Sequence, residues 1–341
     1  MKKKFVGFGE VLLRLSPEGV YKIAQADRLV PNYTGAEANM AIALSYMGMP
    51  AAMVTRLPDH DVGHAARRMM DKFRVDTSHI AWGGERLGLY YLERGASQRP
   101  SKVIYDRKYS SIAEATVDDF DWAHIFEDAG WFHFTGITVA LSESVQEICI
   151  EACKIAKQYG VKVSCDLNYR KNLWSPEEAQ KAMKPLMQYV DVLIGNEEDA
   201  EKMLDIVPAG TDVTAGELDV DGYRVLTRRL AEEYGFEMVA VTLRESESAT
   251  VNHWSALLYH DGTHYLSKKY TMHVVDRVGG GDSFASGLIY ASLNAYAPQE
   301  IIEYATAASC LKHSIELDFN LSTPEEVFTL MNGDGSGRVQ R

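Results

Sequence analysis

The chain has 341 residues, of which 46% are hydrophobic, and its 35 Lys and Arg against 48 Asp and Glu give a formal net charge of -13. That length suits one large α/β domain with an appendage or two modest domains. The acidic balance excludes nucleic-acid binding as the main task, and no apolar run reaches the roughly 18 residues that a membrane span needs. An anionic ligand therefore has to be met by locally placed Arg and Lys rather than by the global field. The basic start Met1-Lys2-Lys3-Lys4 is followed by Glu10 and Arg14 without an apolar leader segment, so no secretory signal is expected. Cys149, Cys153, Cys165 and Cys310 lack metal-ligand or CxxC spacing and read as buried, reduced thiols of a cytoplasmic protein.

In chain order, Lys4 to Leu13 predicts a first strand, with Glu10 and Arg14 either at its edge or on a ligand side. Gly7-Phe8-Gly9 is not a dinucleotide fingerprint, because the third glycine would fall at Leu12. Alternation over Val20 to Pro31 predicts a short hairpin outside the main sheet. Thr34-Gly35-Ala36-Glu37-Ala38-Asn39 opens a small-residue helix running to about Gly48, with Thr34 or Gly35 as its cap. Small residues admit either a ligand or a neighbouring backbone, so Asn39 reads equally as a ligand contact or a packed polar residue.

Ala52 to Leu57 predicts a core strand and Asp61 to Phe73 an amphipathic helix. Leu87 to Gly95 and Lys102 to Arg107 predict a hairpin with too little apolar surface to fold alone. Within it, Tyr90 and Tyr105 offer amphipathic rings and Arg107 a fork-shaped cation suited to a carboxylate, strand packing being the alternative for the tyrosines.

From Ala129 onward strands and helices alternate: Gly130 to Gly136, Glu143 to Tyr159, Val161 to Asp166, Val190 to Ile194, Tyr223 to Tyr234, Met238 to Leu243. This is the pattern of a parallel sheet covered on both faces. Asp166-Leu167-Asn168-Tyr169-Arg170 follows a strand directly, at the sheet edge where ligands of open α/β folds collect. Asn196-Glu197-Glu198-Asp199 follows another, and suits a hydrated divalent cation or simply an acid-rich helix start. Val207 to Asp221 reads as an acidic surface insertion, and Asp261-Gly262 turns a hairpin between Ser255 to Tyr259 and Thr263 to Tyr270.

Gly279-Gly280-Gly281-Asp282-Ser283 then opens a helix, and its unpartnered first-turn amides can hold an anion without a side chain. Asp282 stands where that anion would lie, either as a cap or as a base that deprotonates an attacking hydroxyl. Three glycines, which a cap does not need, favour the base. A second apolar helix spans Pro298 to Ser314, His313 reads as a helix-end residue, and Asn332 to Arg341 predicts a disordered tail.

The run from Val275 to Ile289 resembles the C-terminal signature of the PfkB, or ribokinase-like, family of carbohydrate kinases, with Gly280 where Ala is usual and Arg277 where Thr is commoner. The resemblance extends over about residues 4 to 330 and implies a ribokinase-like three-layer α/β/α sandwich. It further implies a mainly parallel central sheet and a small β-sheet lid contributed from about 14–33 and 82–110. It implies an ATP-dependent kinase using Mg2+, with a monovalent cation left open. Asp282 would be the base and Gly279, Gly280 and Gly281 the anion hole. Gly35 and Asn39 match the family's early sugar-contacting element, in which Thr34 replaces the first glycine. Asn196 and Arg244 would serve the nucleotide, and Asp199 or Glu198 would organise Mg2+ through water.

Arg170 lies in a D-x-N-x-R element similar to that of the branch acting on 2-keto-3-deoxygluconate, whose Arg contacts the substrate carboxylate. Tyr90, Tyr105, Arg107 and Asp318 would complete that site. The implied reaction is phosphorylation of this sugar acid on its terminal hydroxyl; a fructokinase- or ribokinase-type enzyme and a non-catalytic sugar or nucleotide sensor are the alternatives. The implied partners are the sugar acid and ATP, without nucleic acid or membrane, in a homo-oligomer such as a dimer through the lid.

Overall fold

Aromatic and β-branched runs alternate with capped amphipathic helices along this chain, and in the computed structural model they build a nine-stranded sheet clad with helices on both faces. The structure describes residues 3–206, 219–333 and 335; most of the insertion expected at 207–221 and of the tail expected at 332–341 lies outside the described residues. Across the sheet the strands run Thr263–Leu266, Val251–His260, Met238–Ser246, Val192–Gly195, Lys162–Asp166, Ala129–Thr135, Lys4–Phe8 and Ala51–Val54, with Tyr270–His273 also paired to Val251–His260. Neighbours from Met238–Ser246 to Ala51–Val54 are parallel, and the far edge is antiparallel.

Side chains alternate across each strand. Phe5 and Trp131 join Met40, Leu288 and Ile302 on one face, whereas Val6 and Phe132 join Ile148, Met183 and Leu226 on the other. Lys4–Phe8 pairs with Ala51–Val54 on one side and Ala129–Thr135 on the other. The winding thus reverses there, and a crevice opens at the carboxyl ends of these strands.

A separate four-stranded sheet stands over that crevice, in the order Val30–Thr34, Leu12–Ser16, Gly88–Glu93, Lys102–Asp106. Its existence corrects the first predicted strand. Lys4 to Leu13 is not continuous: the main-sheet strand ends at Phe8, and Leu12 already belongs to the small sheet. Apolar continuity concealed the break, which is held by Glu10 turning aside to meet Arg107 and Ser110. Ala52 to Leu57 likewise divides, since Arg56–Leu57 pairs with Ala81–Trp82 instead of the main sheet. Among the described residues, two helices of eight or more residues were not expected from periodicity, Pro176–Met187 and Pro324–Met331, although each opens with a capping box, Ser175 with Glu178 and Thr323 with Glu326, and a proline in the first turn. Among the described residues no helix is long and apolar enough to cross a membrane.

Candidate active site

The crevice between the two sheets is a cavity of about 560 Å3. Its floor is the glycine turn. Gly279 is the N-cap of the helix Gly280–Leu293 with φ 83, a backbone that disfavours a side chain, and a Cβ there would also run into the carbonyl oxygen of Asp318. Asp282 does not cap: no side chain bonds the helix start, and Asp282 Oδ2 accepts a hydrogen bond from Asn39 Nδ2 at 2.7 Å. Burial pushes the Asp282 carboxyl up to about 7, against the Asn39 hydrogen bond and with the nearby charges of Glu37 and Asp318. A carboxylate poised near neutrality is suited to taking a proton from a hydroxyl.

Asn39 is oriented from behind. Thr34 does not cap the helix Ala36–Tyr46; its Oγ1 donates to Asn39 Oδ1 at 2.7 Å, which leaves Nδ2 for Asp282, while Gly35 is the N-cap. Of the turn's amides, Gly280 donates to the Arg277 carbonyl at 3.3 Å and Ser283 to that of Gly279 at 2.9 Å. The amides of Gly279, Gly281 and Asp282 have no acceptor among the described residues, so the free donors are shifted slightly from the expected run of Gly279 to Gly281.

Gly280, where Ala is usual, has a structural reason. A Cβ at this position would lie 2.5 Å from Cε1 of His313, whose buried ring is tied by Nδ1 to the Ser309 carbonyl at 2.7 Å. Burial pushes this imidazole down to about 4, so it is neutral. Gly280→Ala is accordingly expected to destabilise the chain by about 1–3 kcal/mol, the scale of overpacking. Thermal unfolding checks this, with His313→Ala in the same chain restoring stability. Wild-type stability of the single variant would mean that the ring is not what excludes a Cβ.

The small sheet supplies the wall. Tyr90 is buried, and its hydroxyl donates to Asp318 Oδ1 at 2.6 Å; Asp318 Oδ2 accepts from Arg14 Nη1 and Asn32 Nδ2, each at 2.8 Å. Tyr105 is 39% exposed, with its ring centroid 5.9 Å from that of Tyr90 and the Arg107 guanidinium 5.4 Å from it. Arg107 is not a free cation. Its Nε donates to Glu10 Oε2 at 2.7 Å, its Nη2 contacts the same oxygen, and Ser110 Oγ donates to Glu10 Oε1 at 2.6 Å. Arg170 differs: it lines the cavity without an ion pair among the described residues, its guanidinium donating to the Tyr169 carbonyl at 2.9 Å while its charge acts on Asp166, Asp199 and Asp282.

Sequence reasoning did not reach Glu10 as the partner of Arg107, nor the buried ion-pair hub in which Arg14 Nη2 meets Asp276 Oδ2 at 2.7 Å. The available signal was the presence of two charged residues, Glu10 and Arg14, within an apolar run.

Carboxylates and arginines line the rest of the cavity. Asn196 caps the helix Glu197–Leu204 by accepting from the Asp199 amide at 2.9 Å, and Asp199 Oδ1 accepts from the Tyr169 amide at 2.8 Å. The acid-rich helix start is therefore real, and it also lines the cavity through Asn196, Glu198 and Asp199. Burial pushes Asp199 up to about 6 and Asp166 well above the usual range, the latter with Asp199 and Asp282 adding repulsion. Crowded, desolvated carboxylates of this kind favour a nearby hard cation. Among the described residues no group of three or more His, Cys, Asp or Glu could hold a metal ion alone, so such an ion would keep water or substrate ligands. Arg244 and Arg277 line the cavity without a carboxylate partner among the described residues, Arg277 Nη2 reaching only Asn252 Oδ1 at 3.1 Å. Burial and then the charge of Arg244 lower the Arg277 pKa, and an anion between them would relieve both.

Residues 2–315 match the family model for pfkB family carbohydrate kinases. The chain is 50% identical to a 2-dehydro-3-deoxygluconokinase of Thermotoga maritima of known crystal structure, with a TM-score of 0.93 and 97% and 99% of the two chains covered. It is 34% identical over 340 residues to a 2-dehydro-3-deoxygalactonokinase of Haloferax volcanii, covering 99% of each. A 2-dehydro-3-deoxygluconokinase of Thermoproteus tenax is 26% identical over 331 residues, covering 96% of this chain and 93% of the relative.

Proposed function

We propose that this chain, which belongs to the pfkB family of carbohydrate kinases, transfers the γ-phosphoryl group of ATP to the terminal hydroxyl of 2-keto-3-deoxygluconate, the 2-dehydro-3-deoxygluconate of its relatives' names. Asp282, held by Asn39 beside the glycine turn, with the Arg170 guanidinium acting on its charge, carries this reading. Asp282 takes the hydroxyl proton as the sugar oxygen bonds to phosphorus and the bond to the ADP oxygen breaks. The free amides of Gly279, Gly281 and Asp282 meet charge on the transferring group. Asn196, Arg244 and Arg277 serve the nucleotide phosphates. Asp199, Glu198 and Asp166 favour Mg2+ through water, and that ion, when bound, offsets phosphate charge.

Arg170 takes the substrate carboxylate, Arg107 orients rather than neutralises it, and Gly35, Asn39, Tyr90, Tyr105 and Asp318 shape the pocket around the sugar. An ATP-coupled screen of 2-keto-3-deoxygluconate, its galacto epimer, fructose and ribose tests this. The gluconate acid should show the highest kcat/KM. Arg170→Ala should lose about 10- to 100-fold on the acids alone, the scale of a hydrogen bond to a charged group. A preference for fructose, with an equal loss on it, would favour a neutral-sugar kinase; absence of ADP formation with every sugar would favour a sensor.

The strand Lys102–Asp106 is exposed along its whole length, with Val103 and Ile104 among the exposed apolar residues, at the free edge of the small sheet. Such an edge favours pairing with another chain, and we place a dimer contact there. Sedimentation of a Val103→Lys, Ile104→Glu double variant as a monomer would support that contact.

A further inference from the structure

Lys312, the last residue of the helix Pro298–Lys312, is fully buried at 0% exposure behind the glycine turn. A Cβ built on Gly279 would lie 3.3 Å from its Cε. Its Nζ donates to the backbone carbonyls of Asp276 at 3.3 Å and Ile315 at 3.2 Å, and it forms no ion pair with a carboxylate among the described residues. A lysine at a helix end commonly meets the last carbonyls, and Ile315 fits that description. Asp276 does not: it belongs to the segment entering the turn, which is docked on the helix end by the Val275 amide donating to the His313 carbonyl at 2.8 Å. The ammonium therefore joins the two backbone segments that build the cavity floor.

In a peptide unit the N–H and C=O point in opposite directions. A turn that aims its amides at an anion therefore directs carbonyls to its rear, and these can gather round a cation. Lys312 is placed at that rear. Burial disfavours its charge, Asp276, Asp318 and Asp282 oppose that effect, and Arg14 adds to it.

We propose that the Lys312 ammonium is a built-in monovalent cation, a positioning residue that fixes the glycine turn from behind and makes phosphoryl transfer independent of added potassium or other monovalent ions. This rests on the kinase reading above. Turnover of the wild-type chain on its preferred sugar acid should be equal in tetramethylammonium and potassium buffers of matched ionic strength. Lys312→Ala should lose about 10²-fold in kcat, the scale of one anion-hole donor, with KM for the acid little changed. Potassium, ammonium or methylammonium entering the vacated space should restore part of the rate. Lys312→Met fills that space without charge and should be slow in every salt.

A wild-type enzyme that requires potassium overturns the proposal, as does a folded Lys312→Met chain with normal kcat or a folded, slow Lys312→Ala chain that no cation revives. If neither variant gives a cooperative thermal transition, the wild-type cation series decides alone. Absence of turnover on any acid in any salt counts against the kinase reading, whereas turnover only in potassium counts against Lys312.

Discussion

An Asp282→Asn chain is expected to fold normally and to lose at least about 10²-fold in kcat, the scale of a general base. Asparagine keeps the shape and can still accept from Asn39 Nδ2, so the 2.7 Å contact to the helix Ala36–Tyr46 need not be lost. What disappears is the ability to hold a proton. The wild-type carboxyl, raised by burial to about 7, must be ionised to act. Wild-type kcat/KM should therefore rise with pH through about 7 and level off above it, and the residual activity of the variant should lack that limb.

Stability moves the other way. The folded-state pKa lies above the ordinary 3.8, so the folded chain binds more protons between those values. The contribution of Asp282 to stability is fully present below 3.8 and is lost as pH rises through about 7. Above neutrality the variant should be at least as resistant to heat as the wild type, which separates lost chemistry from lost structure. Near-normal turnover on the preferred acid, or an unchanged pH limb in the variant, would remove Asp282 from the chemistry.

Features legible in the sequence were those whose cause is local. Three glycines before Asp282 specify a turn and a helix start, and Asp261-Gly262 specifies a hairpin in which both residues adopt positive φ, 47 and 76. The alternation from Ala129 gave the parallel sheet because each strand and helix carries its own period. Partnerships between distant residues were not legible. Glu10 meets Arg107 across 97 positions, and Arg14 meets Asp318 across 304, so a continuous apolar run from Lys4 to Leu13 could not reveal that the chain changes sheets. For the same reason Arg107 and Arg170 read as joint carboxylate binders, although among the described residues Arg107 is ion-paired with Glu10 whereas Arg170 donates to the Tyr169 carbonyl. Lys312, at a helix terminus, has the sequence of a surface residue; only the packing of Gly279 and Asp276 against it makes it interior.

Arg14→Met is expected to destabilise the chain by about 3–5 kcal/mol, the scale for breaking a buried ion pair from one side. Arg14 sits in the small-sheet strand Leu12–Ser16 with its side chain 1% exposed. Its Nη2 reaches Asp276 Oδ2 at 2.7 Å and its Nη1 reaches Asp318 Oδ2 at 2.8 Å. The remaining oxygens are held too, Asp276 Oδ1 by the Val278 amide at 3.1 Å and Asp318 Oδ1 by Tyr90 at 2.6 Å. One guanidinium thus fastens the small sheet to the segment before the glycine turn and to the segment after the helix Pro298–Lys312. Methionine approximates the length of the stem but leaves two desolvated carboxylates facing each other.

Lysine should rescue only part of the loss, because a single ammonium does not reproduce the planar fork that spans both acids. Combining Arg14→Met with Asp276→Asn should cost less than the two single changes added together, since the second removes one of the orphaned charges. The same fastening predicts a rise in KM for the sugar acid in Arg14→Met, because Tyr90 and Asp318 lose their common anchor. Thermal unfolding and steady-state kinetics of these variants test the argument. An Arg14→Met chain with wild-type stability and KM would show that the small sheet and the turn are held together by other contacts.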